Sequence, residues 1–131
     1  IAVKSGKDIS WLVFVGEVSH EDVIREFFQA DMFVFPSYSE GFPNVILEAM
    51  ACGCPIVSSG VGAIPEMLDI DGNACGVCFK SRNADEVYSA VSSLIDNQKL
   101  KSLFAANARA RVNSMYAIPQ VWKEMVNIWK K

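Results

Sequence analysis

PSYSEGFPNVILEAMACGCPIVSS, residues 36–59, reads as a strand end, a Gly/Pro turn, a helix and the strand that follows it. Its two glutamates, Glu40 and Glu48, stand eight positions apart. Between them Gly41-Phe42-Pro43-Asn44 leads into the apolar run Val45-Ile46-Leu47. The first N–H groups of a helix have no intrahelical partner and point outward. Such an end favours a phosphate or another anion. One carboxylate on the loop before the helix and a second just inside it flank that cradle. The combination suits a ligand carrying both phosphate and hydroxyl groups. Asn44 reads as the helix N-cap and as part of the cradle, and Gly53 fits the position just past the helix end.

Working outward, short apolar runs alternate with helical patterns. Trp11–Val15, ending at Gly16, reads as a buried strand. Ser19 caps a helix to about Ala30, with Glu21 and Asp22 in its first turn and Val23, Ile24, Phe27 and Phe28 as its core face. Met32–Phe35 is a second strand, Pro55–Ser58 a third and Gly76–Phe79 a fourth. Ile64–Leu68 forms a short helical turn, and Asp69–Asn73 a turn. The rest is helical. Val87, Val91, Leu94 and Ile95 share one helix; Leu103 and Phe104 lie on another, running to about Met115. Pro119 opens a last helix with Val121, Trp122, Met125, Val126 and Trp129 on one side. Strands and helices in alternation mean a parallel sheet covered on both faces. Ligands of such sheets bind outside the carboxyl ends of the strands, where the Ser37–Asn44 loop lies.

At 131 residues the chain is long enough for one domain with a core. It is 51% hydrophobic and 21% charged, the balance of a globular protein rather than a disordered one. A net charge of −3 and a pI near 5.1 argue against nucleic acid as a partner. No apolar run approaches the ~20 residues of a membrane helix, and no signal-peptide pattern opens the chain. It begins at Ile1 rather than Met, which suggests a fragment. Cys75-Gly-Val-Cys78 has half the spacing of a zinc site or that of a redox motif. A closed zinc site needs four ligands, and the one histidine, His20, is distant. Cys52, Cys54, Cys75 and Cys78 are therefore expected to be buried structural thiols, in keeping with a cytoplasmic setting. His20, a lone histidine near a helix start, reads as structural or solvent-facing and receives no general-base role.

The run Glu40-Gly41-Phe42-Pro43-Asn44-Val45-Ile46-Leu47-Glu48, followed by Ala49-Met50-Ala51-Cys52-Gly53 and Pro55-Ile56-Val57, resembles the E-x7-E signature of retaining GT-B glycosyltransferases of family four, the glycosyl transferases group 1. Phe14-Val15-Gly16-Glu17-Val18 is similar to the family's "FlGxv" strand and turn. Ala30–Ser37 resembles its "aDvfvlPS", and Gly62-Ala63-Ile64-Pro65-Glu66 and Asp71-Gly72-Asn73 resemble its later "ggxpE" and "dgxnG" segments. The likeness runs in register over about residues 12–110.

The resemblance implies an α/β fold: a Rossmann-like parallel sheet with helices on both faces, part of the C-terminal, nucleotide-sugar-binding domain of a GT-B enzyme. Residues 1–131 would form one partial domain, with 117–131 its last helix. The implied reaction moves a hexosyl unit from a UDP-, GDP- or ADP-sugar to an acceptor with retention of anomeric configuration, without cofactor or metal. Glu48 would hold the ribose hydroxyls. Glu40 would lie beside the donor sugar, contacting a hydroxyl or supporting charge at the anomeric carbon. The backbone of Gly41, Phe42, Asn44 and Val45 would face sugar and diphosphate, with Pro43 shaping the turn. Gly16 and Val18 would lie along the nucleobase.

An acceptor glycan, lipid or small molecule would sit on an N-terminal domain, and the full enzyme would be cytoplasmic or peripheral at the inner face of a membrane. The family's Arg and Lys that neutralise the diphosphate match no position here; Lys80, Arg82 and Arg109 do not correspond to them. This polypeptide alone is therefore expected to be inactive and to bind nucleotide sugar weakly. Two alternatives stay open: a non-catalytic nucleotide-sugar-binding module, and a GT-B phosphorylase or epimerase.

Overall fold

The computed structural model describes residues 10–129. The elements follow in the order α1 (His20–Gln29), β1 (Phe33–Phe35), α2 (Asn44–Cys52), β2 (Ile56–Ser59), α3 (Ile64–Leu68), β3 (Gly76–Phe79), α4 (Ala84–Ile95), α5 (Gln98–Arg111), a π-helical turn (Val112–Tyr116) and α6 (Ile118–Trp129). The three strands form one parallel sheet in the order β1-β2-β3. Phe33 pairs with Ile56 and Phe35 with Ser58; Ile56 pairs with Gly76 and Ser59 with Phe79. All four residues of the central strand β2 are buried, as a parallel strand covered on both faces requires.

Alternation along β2 divides the core in two. Ile56 packs with Phe27 of α1, Ile46 and Met50 of α2 and Met67 and Leu68 of α3. Its neighbour Val57 packs on the other side with Phe79, Ala90 and Leu94 of α4 and Phe104 of α5. Helix α5 serves both layers, because Ala108 joins the first. Its two last-turn arginines clip shorter elements in place. Arg109 Nη2 donates to Cys52 O at 2.7 Å, at the C-terminus of α2, where Gly53 takes the left-handed φ of 69°. Arg111 donates to the carbonyls of Met67 and Asn73.

The expected strand at Trp11–Val15 does not form. Those five residues are exposed and, among the described residues, add no strand beyond β1. Apolar composition makes a parallel strand only where layers cover both faces, and these side chains are exposed. Val15 and Val18 instead border an apolar groove of about 270 Å³ with Phe27, Phe33 and Val45. Three expected core residues, Phe28, Ile95 and Leu103, are 67%, 57% and 53% exposed. Each sits one position from the buried residue of its stripe, Phe27, Leu94 and Phe104, and a step of about 100° turns it to solvent. The last helix is met over Ile118–Trp129; positions 130 and 131, like residues 1–9 of the expected domain, lie outside the described residues. Trp122 and Trp129 are exposed and pack edge-on against each other at 6.3 Å rather than in the core.

Of the four thiols, Cys52, Cys54 and Cys75 are buried and Cys78 is exposed, which corrects the expectation for Cys78. Neighbouring positions of strand β3 alternate between faces, so a C-x-x-C spacing splits its two sulfurs. Burial pushes the Cys54 thiol up to about 11. Because the thiolate is the reactive form, iodoacetamide on the native protein is expected to alkylate Cys78 first. Mass mapping that found Cys54 modified before Cys78 would contradict this burial pattern.

Candidate donor-site loop

The carboxyl edge of the sheet gathers the loop from Ser37 to Pro43. Ser59 Oγ, at the end of β2, donates to Ser37 O at 2.6 Å, and Ser58 Oγ donates to Phe35 O at 3.1 Å. Ser81 Oγ, just past β3, reaches the same Ser37 carbonyl at 3.4 Å. Three hydroxyls from two segments thus tie down the exit of β1. Ser37 Oγ in turn donates to Glu40 Oε1 at 2.6 Å and holds that half-buried carboxylate against the loop.

The far side of the loop is closed by Gly62 and Ala63. Ala63 N–H donates to Gly41 O at 2.9 Å. Gly62 has φ +57°, and a Cβ there would stand 2.1 Å from Glu40 O and 2.7 Å from Gly41 O. Glycine is therefore required twice, by conformation and by close approach. Gly41 differs. It does not have positive φ, and an added Cβ would meet no atom of the described residues within 4 Å.

Helix α2 starts directly from this loop. Pro43, with φ −76° and ψ 115°, occupies the N-cap, and no side chain caps the end. This corrects the assignment of Asn44 as cap: Asn44 is the first helical residue. Proline's fixed φ suits the position and turns the chain into the helix. The N–H groups of Asn44 and Val45 belong to the first turn and lack intrahelical acceptors; that of Ile46 bonds Pro43 O at 3.1 Å. Phe42 is half exposed and meets Tyr116 edge-on at 5.8 Å. Tyr116 arrives there through the π-helical turn, where a continuous helix was expected. Burial raises the pKa of its phenol.

Glu48 lies one turn further along α2, its side chain 31% exposed. Helical side chains tilt toward the N-terminus, so its carboxylate leans to the cradle end. Its neighbour is His20, the first residue of α1, with Nδ1 3.9 Å from Glu48 Oε1. Gly16, with φ +76° and open space around its Cβ position, and Val18, 38% exposed, precede that helix. The chain thus brings Glu40, Gly41 and the start of α2 into one hydrogen-bonded unit and sets His20 beside Glu48.

The basic residues are placed otherwise. Arg109 serves the end of α2, and Arg82 stacks on the Tyr38 ring at 5.2 Å. Among the described residues no three His, Cys, Asp or Glu side chains cluster as a metal site would need. Ser37, Ser59, Tyr116 and His20 carry no role in the motif pattern. The small-residue run Gly60-Val61-Gly62-Ala63 was the one local signal for the closure on Gly41.

Comparison with known proteins agrees with this architecture. The model of the family "Glycosyl transferases group 1" matches residues 11–111. An uncharacterized glycosyltransferase of Methanocaldococcus jannaschii is 32% identical over 119 residues, 91% of this chain and 30% of that one. Sucrose-phosphate synthase from Thermosynechococcus elongatus superposes with a TM-score of 0.79 at 26% identity, over 90% of this chain and 29% of that one. The C-terminal domain of a glycosyl transferase group 1 family protein from Francisella tularensis gives a TM-score of 0.71 at 29% identity, over 89% and 59%. The chain spans less than a third of the curated relatives it matches. With its parallel sheet sandwiched between helices, as in these GT-B neighbours, and a family match across residues 11–111, the chain belongs to the glycosyl transferases group 1 family.

Proposed function

We propose that this chain is the donor-binding half of a retaining glycosyltransferase that moves a hexosyl unit from a UDP-, GDP- or ADP-sugar to an acceptor. The observation that carries it is Gly41. Neither its backbone conformation nor any protein neighbour calls for glycine. A loop otherwise held by hydroxyl bonds and by Gly62 leaves that one face clear, next to Glu40 and the α2 N-terminus. A ligand pressed against the backbone accounts for the clearance.

The roles follow from the chemistry. The first-turn N–H groups of Asn44 and Val45 and the positive end of α2 take the diphosphate. Glu48 offers two acceptor oxygens to the vicinal ribose diol. Glu40, steadied by Ser37, lies beside the sugar and stabilises positive charge at the anomeric carbon as the bond to the diphosphate breaks. The Phe42 backbone faces sugar and diphosphate, Pro43 shapes the turn, and Gly16 and Val18 border the nucleobase. The acceptor, a glycan, lipid or small molecule, attacks from the leaving-group side on a second domain, and no metal takes part. The full enzyme works in the cytoplasm or at the inner face of a membrane.

Glu48→Ala in the full-length enzyme tests the assignment. Hydrogen bonds to a charged group contribute roughly 1.5–3 kcal/mol, so donor affinity is expected to fall by about ten- to a hundredfold. Isothermal titration with UDP, GDP and ADP sugars measures this and identifies the base. Unchanged affinity and turnover would exclude the ribose role.

A further inference from the structure

We infer that His20 contacts the nucleoside of the donor as a hydrogen-bond acceptor held beside Glu48. This rests on the assignment of Glu48 to the ribose and adds a residue that the motif pattern leaves out. Helices α1 and α2 pack together, and the imidazole, on the first residue of α1, is 71% exposed, with Nδ1 3.9 Å from Glu48 Oε1 in the middle of α2. That separation is too long for a hydrogen bond. It is short enough that a bare nitrogen lone pair facing the carboxylate is repelled. The proton of the neutral ring therefore belongs on Nδ1, and Nε2 carries its lone pair on the opposite side of the ring. Four positions earlier in the chain, a Cβ built on Gly16 meets no atom of the described residues within 4 Å. Two acceptors of different kinds, a carboxylate and an imidazole nitrogen, thus stand side by side. They match adjacent donors on a nucleoside: the ribose diol and a further O–H or N–H.

The test is the affinity of the full-length protein for UDP, GDP and ADP. The amide oxygen of His20→Gln substitutes for the Nε2 acceptor, whereas alanine supplies none. For the preferred nucleotide, His20→Ala is expected to bind about three- to tenfold more weakly than wild type, with His20→Gln within about twofold. Wild-type affinity in His20→Ala, or a loss in His20→Gln as large as that in His20→Ala, overturns the inference. Glu48→Ala measured in parallel separates the failures. If it loses binding while His20→Ala does not, only the His20 role falls; if both bind normally, the ribose assignment falls with it.

Discussion

Replacing Gly62 with alanine is expected to destabilise the protein by about 3 kcal/mol and to displace the loop that carries Glu40. Two independent costs combine. A side chain at φ +57° pays roughly 1–2 kcal/mol for the left-handed conformation. Its Cβ would then stand 2.1 Å from Glu40 O, 2.7 Å from Gly41 O and 2.8 Å from Glu40 C. These are backbone atoms and cannot swing aside as a side chain would. The loop must move, and the 2.9 Å bond from Ala63 N–H to Gly41 O is strained or lost, at about 1 kcal/mol.

Gly72→Ala is the matched control. Gly72 has φ +79°, and an added Cβ there meets nothing within 4 Å. It carries the conformational cost alone, about 1–2 kcal/mol. Urea denaturation measures both, with an m-value of about 2 kcal/mol/M. The Gly62 variant should lose clearly more than the Gly72 variant and should bind nucleotide sugar more weakly under conditions where it is still folded. Equal midpoints for the two would mean that the loop yields without cost.

Arg111→Met is expected to cost about 3 kcal/mol for a different reason. The Arg111 side chain is buried, with the residue 6% exposed. Nη1 donates to Met67 O at 3.0 Å and Nη2 to Asn73 O. Among the described residues no carboxylate lies within 4.0 Å of it. Removing the guanidinium leaves two carbonyls without their donors, at about 1–3 kcal/mol each. Relief from burying a cation offsets part of that. Those carbonyls belong to the end of α3 and the turn before β3, so the loss detaches α5 from both. Thermal unfolding should fall by about 10 °C. Arg111→Lys, able to reach one carbonyl, should recover part of the loss. A methionine variant as stable as wild type would show that the two carbonyls are solvated rather than clipped.

Much of the fold was legible because its signals are local. Ser19 accepts from Asp22 N–H as the cap of α1, Gly53 ends α2 in the left-handed conformation, Met32–Phe35 and Gly76–Phe79 contain β1 and β3, and Pro55–Ser58 covers β2 up to its last residue, Ser59. Trp11–Val15 has the same local signature but, among the described residues, forms no strand, since the layers that cover a parallel strand come from other segments. The π-helical turn was invisible for a related reason. Val112–Tyr116 has helical composition, and nothing within it announces the extra residue per turn that delivers Tyr116 to Phe42.

The loop divides the same way. Glu40 to Glu48 could be recognised from type and spacing, because carboxylates around a glycine turn and a helix start have a chemistry of their own. Tertiary structure alone decided that Ser59 fixes Ser37, whose hydroxyl grips Glu40, that Gly62 closes on Gly41 and that His20 faces Glu48. Order along the chain fixes hydrophobic period, caps and turns, which depend on neighbours a few residues apart. Contacts between segments some twenty or more positions apart depend on the angle at which helices cross and strands leave the sheet, and those angles exist only once both cores have packed.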